Sequence, residues 1–156
     1  MSIEKVRAYL EKFGVADRIR EFEVSSATVA LAAEAIGCEP ERIAKTLAFN
    51  VNGECVLIVA SGDAKVNNSK FKSFFGIKAT MYPFDEVAKI CGHAAGGVCP
   101  FAVNEGVTIY LDETLKRFQF VYPAAGSSNS VIRLSLDELQ NFCCYKEWID
   151  VCKLPE

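Results

Sequence analysis

Apolar residues recur at helical spacing through Ile3, Val6, Tyr9, Leu10 and Phe13 and stop at Gly14, which predicts a helix over 3–13. Residues 20–24 alternate and predict a strand. A second helical stretch runs over 28–36, with Ser25 and Ser26 placed to cap it and Gly37 to end it. Pro40 suits the first position of a short helical turn over 41–44 that delivers Lys45. Residues 46–51 and 54–60 are strand-like runs joined by Asn52-Gly53, a hairpin signal. Gly62-Asp63 turns the chain. Residues 67–75 then read as a helix ending at Gly76, and Pro83 opens another through Ile90 that ends at Gly92. Further strands are predicted over 107–111, 118–122 and 131–134. Ser135-Leu136-Asp137-Glu138 has the spacing of a capping box and starts a last helix. From Cys143 to Leu154 the pattern favours neither helix nor strand.

Helices and strands intermix without repeat or linker. The expectation is therefore a single α/β domain over residues 1–156, with a mixed, partly antiparallel central sheet flanked by helices. A chain of 156 residues can bury about 70% of its unfolded surface. Its composition, 51% hydrophobic and 24% charged, is that of a globular protein. The longest apolar run, 55–60, is too short to span a membrane. The first seven residues carry charges where an export signal needs an apolar core, so a cytoplasmic location is expected. The seven cysteines include no CxxC pair and read as reduced thiols. Cys91, His93 and Cys99 match no common zinc spacing, and no metal is expected.

A net charge of −3 excludes a general nucleic-acid coat. Over 63–78, however, Lys65, Lys70, Lys72 and Lys78 face the single Asp63. Charge alone leaves two readings open: a solvated helix face, or a local patch for phosphates.

The chemistry centres on Ile43-Ala44-Lys45-Thr46-Leu47-Ala48-Phe49 and on Gly96-Gly97-Val98-Cys99-Pro100. A lysine set among buried apolar residues is costly unless it reaches a cleft, although it could also snorkel from a strand end. A loop with two glycines can offer bare N–H groups to a ligand, or serve as a plain turn. Together they suggest a pocket for something anionic or carbonyl-containing. His93 is the single histidine, and no Ser/His/Asp arrangement is evident. A thiol hydrolase would need Cys99 with His93.

Taken in order, several stretches resemble the YbaK/ProX family of aminoacyl-tRNA editing domains, which also occur inserted in bacterial prolyl-tRNA synthetases. They are Ser26-Ala27-Thr28 with its Ala-rich helix, Pro40 to Leu47, Val56 to Val59 with Gly62 to Val66, Gly96 to Phe101, Tyr110 to Leu115, and Ala125-Gly126-Ser127. The resemblance spans roughly residues 20–140, and the shared order makes it specific. It implies hydrolysis of the ester on a mischarged tRNA, typically that for proline, with aminoacylated tRNA and prolyl-tRNA synthetase as partners and no cofactor.

Lys45 matches the family's essential lysine, which holds the terminal adenosine and its phosphate. Gly96 to Pro100 matches its Gly-x-x-x-Pro loop, whose N–H groups at Gly96, Gly97, Val98 and Cys99 would hold the aminoacyl carbonyl. Thr46 would orient the ribose, and Gly126 and Ser127 would line the pocket. Substrate assistance by the tRNA's own 2′-hydroxyl would suit a chain this poor in bases. YbaK proper usually carries a basic residue after the late glycine. Here Ser127-Ser128-Asn129-Ser130 follows Gly126, as in ProX-type deacylases, which points to alanine, 2-aminobutyrate, serine or another small residue at least as much as to cysteine. Two rivals stay open: a non-catalytic tRNA- or synthetase-binding module on the same fold, and a cysteine hydrolase.

Overall fold

In the computed structural model, which describes residues 2–155, the chain opens with helix α1 (Ser2–Glu11), burying Ile3, Val6 and Leu10 on one face. Strand β1 (Arg20–Glu21) keeps only the start of the predicted run. Helix α2 (Val29–Ile36) is capped by Thr28 and not by Ser25 or Ser26: the Thr28 hydroxyl accepts from Leu31 N–H, and Gly37 closes the helix at φ 81°. Pro40–Arg42 makes one 3-10 turn, and β2 (Ile43–Val51) starts at once. Lys45 therefore sits within the strand rather than ahead of it.

After β3 (Glu54–Ser61) come β4 (Lys65–Val66), α3 (Asn68–Phe75) and α4 (Val87–Cys91). Helix α4 starts later than predicted because Pro83 opens a turn instead, its carbonyl accepting from Glu86 N–H at 3.0 Å. Then follow β5 (Thr108–Asp112), β6 (Phe120–Pro123), β7 (Ser130–Val131) and β8 (Leu134–Ser135). The single strand predicted over 131–134 is thus two, since the chain leaves β1 for β6 between them. The Ser135 capping box forms and opens α5 (Leu136–Phe142). The undecided tail becomes β9 (Tyr145–Ile149) and β10 (Cys152–Lys153).

The main sheet runs β8-β6-β2-β3-β5-β9. The β2–β3 hairpin and the β6–β8 pair are antiparallel, while β2–β6, β3–β5 and β5–β9 are parallel, so the sheet is mixed as expected. Strand β3 is buried on both faces after its first residue. Its Leu57 and Val59 join the larger core cluster beneath α1, and Val56, Ile58 and Ala60 join a second one beneath α3. Strand β2 shares this division: Ala44 and Ala48 face the larger cluster, and Phe49 the second. Buried Asp112 ties the sheet's far end together, accepting from Thr114 N–H at 3.0 Å and from Val151 N–H at 3.1 Å. No helix among the described residues is long and apolar enough to cross a membrane.

Candidate functional site

A cleft of about 420 Å³ opens beside β2. Its floor is Ile43 to Ala48, one wall is the start of α2 at Ser26 to Val29, and another is Ala95, Gly96 and Val98. Met81, Tyr82, Phe84 and Val87 close the remaining side. Of the residues expected at a site, Lys45, Thr46, Gly96 and Val98 meet here.

Lys45 alternates onto the face of the second core cluster, where its ammonium donates to Ala64 O and, at 3.4 Å, to Gly62 O. Two of its three N–H bonds therefore clasp the turn after β3. Burial pulls its pKa below the ordinary lysine value, reinforced by nearby Lys65 and opposed by the Asp63 carboxylate. The turn it clasps is also held from the other side. Arg117 reaches Asp63 at 2.6 and 3.2 Å and Ser61 Oγ at 2.8 Å. Thr46 faces the other way. Its Oγ1 is buried without a hydrogen-bond partner.

The glycine loop is shaped by local geometry. Gly97 N–H donates to Ala94 O at 3.0 Å, closing a turn that requires Gly96 at φ 91°. The Gly97 N–H is spent there, while those of Gly96 and Val98 have no backbone partner among the described residues. Gly97, Cys99 and Pro100 are buried behind the wall. A Cβ at Gly97 would stand 2.8 Å from the Ser127 backbone, so the two small-residue loops touch because neither has bulk. Ser127 hydrogen-bonds with Asn129 Oδ1 at 2.9 Å and Ser130 Oγ at 2.6 Å, bracing its own loop. Gly126 packs against α1 and accepts a bond from Ser2 Oγ. These residues support the cleft from behind instead of lining it.

Cys99 and His93 are neighbours, with Sγ 3.6 Å from Nε2. Both are fully buried. Burial pushes the Cys99 thiol up to about 12 and the His93 pKa down. His93 Nε2 is bonded to Phe101 O at 2.7 Å, which fixes the loop's exit. A neutral thiol shut off from solvent is no nucleophile. The apolar wall from Met81 to Val87 escaped sequence reasoning, since nothing local marks residues that fold back over a distant strand. Ala44 and Ala48 were findable, because period two puts them on the face of Thr46.

The model of the aminoacyl-tRNA editing domain family matches residues 23–142. The YwhH protein of Bacillus subtilis (strain 168), described as uncharacterized, is 49% identical over 154 residues, 98% of each chain. A proline–tRNA ligase of Geobacillus thermodenitrificans is 33% identical over 91 residues, 56% of this chain but 16% of the ligase. Among solved structures, a candidate trans-editing enzyme for prolyl tRNA synthetase superposes with a TM-score of 0.86 at 28% identity, covering 97% of each chain. With its cleft floored by the lysine-bearing strand and walled by the glycine loop, the chain belongs to the aminoacyl-tRNA editing domain family.

Proposed function

We propose that the protein is a cytoplasmic, trans-acting aminoacyl-tRNA deacylase that hydrolyses the ester of a mischarged tRNA, that for proline carrying a small non-cognate amino acid. The observation that carries this reading is the cleft itself, where Lys45, Thr46 and the Gly96–Val98 loop converge around mostly apolar walls in a chain of this family. The relationship to proline–tRNA ligases favours the tRNA and suggests the synthetase as a partner.

In this reading Lys45 keeps one N–H for the terminal nucleotide's phosphate while the other two hold the strand to its turn. The free N–H groups of Gly96 and Val98 stabilise charge growing on the ester carbonyl. Gly97, Cys99 and Pro100 set that loop's path, and Gly126 and Ser127 buttress it. With no carboxylate or histidine among the described residues that line the cleft, positioning of water by the substrate's own hydroxyl carries the chemistry.

The test is release of alanine, 2-aminobutyrate, cysteine, serine and proline from tRNA for proline, with wild type and Lys45→Ala side by side. Selective release of one non-cognate residue, reduced about 100-fold or more in the variant, is expected. If a wider tRNA panel also stays intact, the deacylase reading gives way to a non-catalytic binding module.

A further inference from the structure

The edge of β2 that faces away from β3 is covered in two places and bare between them. At its start it pairs with β6, Ile43 opposite Tyr122 and Ala44 opposite Pro123. Farther on, Tyr82 N–H donates to Ala48 O at 3.1 Å and Asn50 N–H to Thr80 O at 2.8 Å. Thr46 lies between these covers. The two-residue turn makes Val51 and Glu54 the first bonded pair of the hairpin, so odd-numbered β2 residues bond β3 and even-numbered ones point outward. Ala48 and Asn50 follow that rule. The main-chain N–H and C=O of Thr46 therefore face the gap, and neither finds a backbone partner among the described residues.

The Thr46 hydroxyl is likewise buried and unpartnered. Three polar neighbours on the cleft wall already hold protein partners. Ser26 Oγ donates to Ser128 O at 3.3 Å, Thr28 Oγ1 accepts from Leu31 N–H, and Lys45 holds Gly62 and Ala64. One residue thus brings an unused donor, an unused acceptor and an unused hydroxyl to a mostly apolar cleft that it shares with the free N–H groups of Gly96 and Val98. Leaving such groups dry costs stability unless a ligand or water completes them.

We propose that an α-aminoacyl ester fills the gap as the missing strand residue, its ammonium donating to Thr46 C=O and its ester carbonyl accepting from Thr46 N–H. An α-amino acid carries these two groups across one Cα, the spacing with which two residues of an antiparallel bonded pair exchange both bonds. The carbonyl keeps a second lone pair for the glycine loop. The substrate's side chain then falls on the face of Thr46's own, beside its hydroxyl and between Ala44 and Ala48. The ligand class is an ester with a free α-amine and a small side chain. This rests on the deacylase reading for the ester but not for the recognition.

Two measurements separate them. Release from alanyl-tRNA for proline is compared with release from its N-acetyl form and from the lactyl ester, which replaces the amine with a hydroxyl. Losing a charged hydrogen bond is expected to slow both by about tenfold or more. In parallel, the Thr46 amide is followed by NMR as 3′-alanylamido-3′-deoxyadenosine, which cannot be hydrolysed, is titrated in. It should shift with that compound and stay in place with its N-acetyl form. Equal release of alanyl and N-acetylalanyl groups, or an amide that ignores both compounds, overturns the proposal. A selective amide shift without release from any tRNA instead removes the deacylase reading and leaves the recognition standing.

Discussion

At the scale of single residues, Gly62 is under the tightest constraint around the cleft. A Cβ there would stand 2.0 Å from Pro40 O and 2.7 Å from Val29 Cγ1, with no flexible side-chain end to yield on the Pro40 side. Gly62→Ala must therefore push the turn away from the 3-10 turn that introduces β2. An overpacking cost of about 1–3 kcal/mol or more is expected in chemical denaturation. Gly53→Ala, in open space at φ 85°, should cost only about 1 kcal/mol. Equal stability of Gly62→Ala and wild type would mean that the two turns are not in contact. Cys99 gives the second residue-scale prediction. Buried, with its thiol pushed up to about 12, it should resist iodoacetamide near neutral pH while exposed Cys144 reacts. The proposed deacylase activity should survive that labelling. Activity lost in step with a Cys99 adduct, read by mass spectrometry, would put the thiol in the mechanism.

At the scale of elements, the turn between β3 and β4 is where fold and site are joined. Lys45 grips it from β2 and Arg117 from the helical turn after β5, through Asp63. Partial burial alone would raise the Asp63 pKa, but bonds from Arg117 and Ser61 outweigh it and hold the carboxyl below its ordinary 3.8. A depressed folded pKa contributes stability that is complete above the unfolded value and is lost as pH falls through the folded one. Wild type should therefore melt above Asp63→Asn at neutral pH, and the gap should close below about pH 4. A gap that persists unchanged in acid would assign the difference to packing instead of charge. Elements fixed by neighbours in sequence were legible from the chain: the hairpin at Asn52-Gly53, the Ser135 capping box, and the helix stops at Gly37, Gly76 and Gly92. Elements fixed by distant partners were not. The 143–154 tail became strands because β5 and β4 offered edges to it, and 131–134 broke in two because β1 and β6 claimed different halves. The site divides the same way. Lys45 and Gly96 stand out by residue type, but only the three-dimensional turn shows that the lysine spends most of its hydrogen-bonding on carbonyls.

At the scale of the whole molecule, a chain of net charge −3 must still meet a polyanion if it edits tRNA. The lysines over 65–78 are the local exception, and the structure divides them by availability. Lys70 is committed to Asp150 at 2.9 Å and to Cys152 O at 3.0 Å. Lys65 on β4, Lys72 on α3 and Lys78 beyond it are exposed. Lys65 also lies close enough to Lys45 to depress its pKa, which places positive potential where the Lys45 side chain ends. An acceptor end directed at Lys45 would thus find these lysines flanking its approach, while the acidic remainder repels the rest of the tRNA. Binding of uncharged tRNA for proline should weaken linearly on a log–log plot against salt. Each of Lys65→Gln and Lys72→Gln should flatten that slope by about 0.7–0.9, whatever the tRNA sequence. Lys70→Gln should leave the slope nearly as in wild type, since its charge already has a carboxylate partner. Because binding needs no turnover, slopes unchanged in the Lys65 and Lys72 variants would move the tRNA path to another face without touching the assignment of the cleft.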